Sequence, residues 1–132
     1  MSLRARSESV AGTLKQRVLV DGRHVLETDE PVEAGGDGSA PAPHELLPAA
    51  IAACVSTTVV MYARTRDWPL EAVSCDVEYD HRSTPRTVDI SLEIDGDLTA
   101  DQVERLERVA ASCPVRRSIE SGIEFRETVT QR

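Results

Sequence analysis

The sequence predicts an α+β fold built on antiparallel sheet. Strand-like runs come in pairs rather than alternating singly with helices, and the internal pair has a clean period of two. Two helical stretches separate these groups, and they differ sharply in amphipathicity. The order reads ββ–α–ββ–α–β, which favours hairpins over a parallel sheet.

Each element has its own signal. Residues 1–9 are the stretch open to disorder. From Val10 to Val20, Leu14, Gln16, Val18 and Val20 alternate; Asp21-Gly22 supplies a turn, and His24 to Thr28 returns as a second strand. The segment 29–43 holds Gly35, Gly36, Gly38, Pro41 and Pro43 without periodicity, and reads as a long loop of the kind that often carries function. A helix over 44–66 follows, with Pro48 in its first turn, where a missing N–H costs little. Leu47, Ala50, Ile51, Cys54, Thr58 and Met61 fall on one face, while Ala49, Ala52, Ala53, Ser56 and Thr57 make another face small. A helix apolar all round is expected to be buried, here with the help of a second subunit.

Beyond Pro69 the runs 72–79 and 88–94 alternate: Val73, Cys75, Val77 and Tyr79, then Val88, Ile90, Leu92 and Ile94. A second helix is expected over 100–113, with Thr99 and Gln102 as its capping box and Val103, Leu106, Ala110 and Cys113 as its apolar stripe. Pro114 is read as its end. Ile123 to Val129 reads as a closing strand.

At 132 residues and 40% hydrophobic content the chain is expected to form a single domain, 1–132. A net charge of −8 argues against nucleic acid and anionic membranes as partners. No signal-peptide pattern is visible, and the longest apolar stretch, Leu46–Met61, is interrupted by Pro48, Ser56, Thr57 and Thr58. A cytoplasmic protein is expected. There, three widely spaced cysteines form neither a disulfide framework nor a zinc site, and any disulfide is chemical rather than structural.

Taken alone, Cys54 and Cys113 each read as core residues of their helices. Two such cysteines meet if the helices pack, and the sequence permits this without requiring it. Cys75 reads as a strand core residue, and His24 and His81 as solvated.

The run Pro43-His44-Glu45-Leu46-Leu47, with Ala49-Ala50 and Ala52-Ala53-Cys54, resembles the first cysteine motif of the OsmC/Ohr family. Met61-Tyr62-Ala63, Trp68-Pro69-Leu70-Glu71 and Val109-Ala110 through Cys113-Pro114-Val115 are similar to the same family. The resemblance implies an OsmC-like fold: antiparallel sheets around two helices, a long buried central helix and an intertwined homodimer. It implies thiol-dependent reduction of organic hydroperoxides or hydrogen peroxide in oxidative-stress defence. Cys54 would become a sulfenic acid, Cys113 its disulfide partner, and an external dithiol the reductant, without metal or other cofactor. Glu45 is the candidate acidic residue beside the thiol, although it stands nine residues before Cys54 rather than the family's ten, where His44 falls.

The family's activating Arg has no counterpart in 29–43, and Arg17 and Arg23 read as solvated strand charges. This departure motivates the alternative, a non-catalytic small-molecule-binding or redox-sensing dimer on the same fold.

Overall fold

The computed structural model describes residues 2–132 and divides the chain into two compact units, one ending at Leu47 and the other spanning Pro48–Arg132.

The first unit is a three-stranded antiparallel meander of β1 (Ala5–Ser9), β2 (Gln16–Val20) and β3 (His24–Thr28). Residues 5–9 therefore correct the expectation of disorder: β1 pairs along its whole length with β2, from Ala5↔Val20 to Ser9↔Gln16. Its alternation is weak because all five residues are exposed, so backbone pairing rather than a buried face defines it. The β2–β3 turn is the expected one. Asp21 and Gly22 both take positive φ, 52° and 67°, and the Arg23 N–H closes the turn on the Val20 carbonyl at 3.1 Å. Positive φ at both central residues matches the twist of the flanking strands.

The loop after β3 is organised by one buried carboxylate. Asp29 is 1% exposed and accepts hydrogen bonds from the backbone N–H groups of Glu30, Asp37 and Ser39 and from the Ser39 hydroxyl, at 2.8–3.2 Å. The Ser39 N–H and hydroxyl lead in holding its carboxyl at about 2, against the opposing cost of burial. A Cβ at Gly36 would collide with the Glu30 carbonyl, so glycine is required by close approach. Short 3₁₀ turns stand at Val32–Ala34 and Pro43–Glu45. In the second turn the Glu45 Oε1 accepts the Ala42 N–H at 2.9 Å.

That turn runs into α1 (Leu46–Thr65). With it the helical run spans Pro43–Thr65, 23 residues long and apolar enough by length and composition to cross a membrane. This corrects the shorter stretch read from the sequence. Pro48 sits where α1 needs no N–H, and helix hydroxyls bond back, as Thr58 Oγ1 does to the Cys54 carbonyl at 2.8 Å. The burial also differs. Only Ile51, Val55, Val59 and Ala63 of its 20 residues are fully buried, a row spaced by four. Ala50 and Met61, expected on the core face, are exposed, as are Ala49, Ala53 and Thr57. A Schellman-like stop ends α1: Asp67 takes φ 54° and the Trp68 N–H reaches the Ala63 carbonyl.

In the second unit β4 (Leu70–Asp80) and β5 (Thr87–Gly96) form an antiparallel pair with a bulge between Leu70 and Ala72. Val73↔Ile94, Cys75↔Leu92 and Val77↔Ile90 share the half-buried face, as the period of two predicts. Helix α2 (Ala100–Ala110) has the predicted capping box: the Gln102 N–H donates to Thr99 Oγ1, and Gln102 Oε1 accepts the Thr99 N–H. Leu106 and Ala110 are buried with the α1 row and form the core, while Val103 is exposed.

Two expectations fail beyond α2. The helix stops at Ala110, and Cys113 stands outside it in extended conformation. Pro114 does not merely end a helix; it is the first residue of α3 (Pro114–Ser121), where a missing N–H is harmless. Ile123 to Val129 forms no strand: Ile123, Phe125 and Val129 are 61%, 87% and 88% exposed. Among the described residues no strand pairs with this segment, so its alternation has nothing to satisfy.

Candidate active site

Two thiols on different elements meet in the second unit. Cys54 sits within α1, half-buried, one turn before Thr58. Cys113 is fully buried at the N-cap of α3. All three cysteines are free, and the Cys113 side chain hydrogen-bonds Cys54.

The start of α3 completes the site. The Val115 N–H bonds to both sulfurs, and the Arg116 N–H bonds to Cys113. These amides belong to the first turn of a helix, where N–H groups lack intrahelical partners and the dipole favours negative charge. A thiolate is therefore received by donors already in place.

The two thiols respond in opposite directions. Burial pushes Cys54 up, but the Cys113 S–H, the Val115 N–H and the Thr58 hydroxyl outweigh it, and its pKa is lowered. For Cys113, burial comes first and the bond it gives to Cys54 second; both raise its pKa, the Arg116 and Val115 amides offset part of this, and the shift is upward. Of the two thiols, Cys54 is therefore the one favoured to ionise and Cys113 the one favoured to keep its proton. Thr58 has a single proton to give, either to the Cys54 carbonyl in the neutral state or to the thiolate. The groups that lower Cys54 are all uncharged donors.

Cys75 lies on the inner face of β4. Burial, then the charge of Asp76, then that of Cys113 raise its pKa, so it stays a protonated core thiol.

A family model for OsmC-like proteins matches residues 36–128. The chain belongs to the OsmC-like family. No curated protein matches the sequence. Among solved structures, the organic hydroperoxide resistance protein OsmC of Legionella pneumophila is 25% identical over 90% of this chain and 89% of that one, with a TM-score of 0.62. The OsmC-like protein of Mycoplasma pneumoniae is 13% identical over 91% and 88%, at 0.72. OhrB of Bacillus subtilis, an organic hydroperoxide resistance protein, is 15% identical over 89% of each chain, at 0.59. The α+β architecture expected for an OsmC-like chain is the one found.

Within this OsmC-like chain, Cys54 and Cys113 are together, as their positions on packed elements permitted. Glu45 uses its carboxylate to close the turn before α1. Arg23 pairs with Asp21 at the β2–β3 turn. Sequence reading missed Thr58 and the Val115 and Arg116 amides. The signal for the amides was Cys113-Pro114 itself, because proline opens helices as readily as it follows them.

Proposed function

We propose that this chain reduces organic hydroperoxides or hydrogen peroxide with its own thiols, in oxidative-stress defence. The observation that carries the reading is the hydrogen-bonded pair of unequal thiols, Cys54 lowered and Cys113 raised. The names of the solved relatives from Legionella pneumophila and Bacillus subtilis point the same way.

The Cys54 thiolate attacks one peroxide oxygen, the O–O bond breaks, and the departing alkoxide or hydroxide takes a proton from solvent to become the alcohol or water. Cys54 becomes a sulfenic acid. The Cys113 sulfur then attacks it, water leaves, and a Cys54–Cys113 disulfide forms. An external dithiol reduces the disulfide by exchange. No metal or other cofactor takes part. Glu45 is the third member of the proposed site; its support is the cap on Ala42, which fixes the chain where it turns into α1.

The working form is a homodimer in the cytoplasm. Two exposed apolar features support it: the α1 face of Ala49, Ala53, Thr57 and Met61, and the trailing Ile123, Phe125 and Val129. Burial of that helix face between subunits accounts for its apolarity without a membrane, and the net charge of −8 suits neither nucleic acid nor an anionic bilayer.

The test is mass spectrometry after one equivalent of cumene hydroperoxide, with free thiols alkylated. A rapid Cys54–Cys113 disulfide is expected. Peroxide consumption by Cys54→Ser at the wild-type rate would sink the proposal, and thiols left free after peroxide would leave the binding dimer in its place.

A further inference from the structure

Helix α1 and the segment that carries α2 into Cys113 are tied at two levels. At one, the Cys113 side chain hydrogen-bonds Cys54. At the other, the Arg105 Nε–H donates to the Tyr62 hydroxyl at 2.7 Å, a bond that spans 43 residues of chain. Tyr62 follows Cys54 by eight residues, about 12 Å of helix rise, and Arg105 precedes Cys113 by the same eight. The two segments therefore run antiparallel, with the sulfurs at one end of the seam and the phenol at the other. On the inner side Leu106 and Ala110 join Val55 and Val59 in the core. The outer side is an open groove, lined by Thr58, Met61, Val109 and Ser112 among others. The groove leaves that side unfilled, so the width of the seam there depends on the two ties.

The Tyr62 ring is held independently of Arg105. The Arg66 guanidinium stacks 3.6 Å from its centroid, and Trp68 meets it edge-on at 5.7 Å. The stop that ends α1, closed by the Trp68 N–H on the Ala63 carbonyl, places both neighbours. A ring fixed in this way presents its oxygen in one direction, and the guanidinium makes the bond it accepts charge-assisted.

We propose that Tyr62 and Arg105 are positioning residues for the thiol pair: their bond holds the Cys113 segment against α1 in the arrangement that closes into the Cys54–Cys113 disulfide. A disulfide draws its sulfurs to about 2.05 Å and its Cβ atoms to about 3.8 Å, and departures from that geometry store strain. Two hydrogen-bonded thiols stand farther apart, so the segments approach each other on oxidation. A tie that favours the closer arrangement favours the disulfide, and by linkage the disulfide strengthens the tie by the same factor. The inference deepens the hydroperoxide reading and rests on it in one respect, that the disulfide is a working state of the protein.

The experiment equilibrates the full chain, in a Cys75→Ala background, with mixtures of oxidised and reduced dithiothreitol, then alkylates free thiols and counts them by mass spectrometry. Tyr62→Phe deletes the oxygen and keeps the ring; Arg105→Met keeps the stem and deletes the donor. Each should lower the equilibrium constant for the Cys54–Cys113 disulfide about three- to tenfold, the upper figure being about 30 mV. The double variant should lose no more than either single one, since both remove the same bond. The measurement compares two folded states, so a bond that merely stabilised the fold would cancel from it. An equilibrium constant unmoved in both single variants would overturn the proposal, as would losses that add in the double variant or a wild-type chain that forms no such disulfide. Arg105 is exposed and Tyr62→Phe keeps the ring contacts, so both variants fold. Losses of the expected size in a protein whose thiols ignore cumene hydroperoxide would remove the hydroperoxide reading and keep the clamp; peroxide-driven disulfide formation with unmoved equilibria would do the reverse.

Discussion

Replacing Cys113 separates its two roles, as donor to Cys54 and as disulfide partner. Cys113→Ala removes the first donor that holds the Cys54 thiolate, whereas Cys113→Ser keeps an O–H in its place. A hydrogen bond to a charged group is worth about 1.5–3 kcal/mol, and S–H is a weak donor, so the low end applies. About 1.5 kcal/mol corresponds to roughly tenfold less thiolate at a pH below the midpoint. The remaining thiolate is more basic and more nucleophilic, so alkylation slows by only about threefold. Both quantities are read in a Cys75→Ala background: thiolate absorbance against pH, and the rate of iodoacetamide alkylation. Cys113→Ala should show a midpoint moved up and the slower rate, with Cys113→Ser near wild type. If Cys113→Ala titrates and reacts like wild type, Cys113 does not hold the Cys54 thiolate and the activation argument fails.

Two further outcomes follow from the packing and the loop. Asp29 has a folded pKa of about 2 against an ordinary 3.8, so its stabilisation is complete above roughly pH 4 and is lost as pH falls toward 2; urea unfolding at pH 6, 3 and 2 should show this loss in wild type, while Asp29→Asn should be weaker at pH 6 and flat across that window. Leu106 is fully buried, so Leu106→Ala should cost about 3 kcal/mol in guanidinium unfolding with an unchanged denaturant slope; a loss below about 1 kcal/mol would mean the core is not centred there.

The sequence was most readable where one local rule decides. Asp21-Gly22 can only turn a hairpin this way, Thr99 and Gln102 cap each other, and the alternation from Val73 to Tyr79 matches the half-buried face of β4 residue for residue. It was least readable where backbone partners decide. β1 has no buried face, so nothing in Ala5–Ser9 announces its pairing with β2. The segment from Ile123 to Val129 alternates imperfectly, with Glu127 interrupting its apolar face, and finds no strand partner among the described residues. Cys54 and Cys113 were visible as candidates through the family resemblance, since apolar neighbours alone make each read as a core residue. What tunes them was not, because the Val115 and Arg116 amides depend on where α3 begins rather than on which side chains they carry.

The Asp29 knot bears on which changes the chain tolerates. Three of its four bonds go to main-chain amides, which any residue except proline supplies equally well. Glu30 and Asp37 are thus interchangeable as far as the loop's shape is concerned, while Gly36 and Asp29 are not. Mutational drift has room on the outer surface of this loop, with its path held fixed from within. A loop of this kind can acquire new surface chemistry at little cost to the geometry beneath.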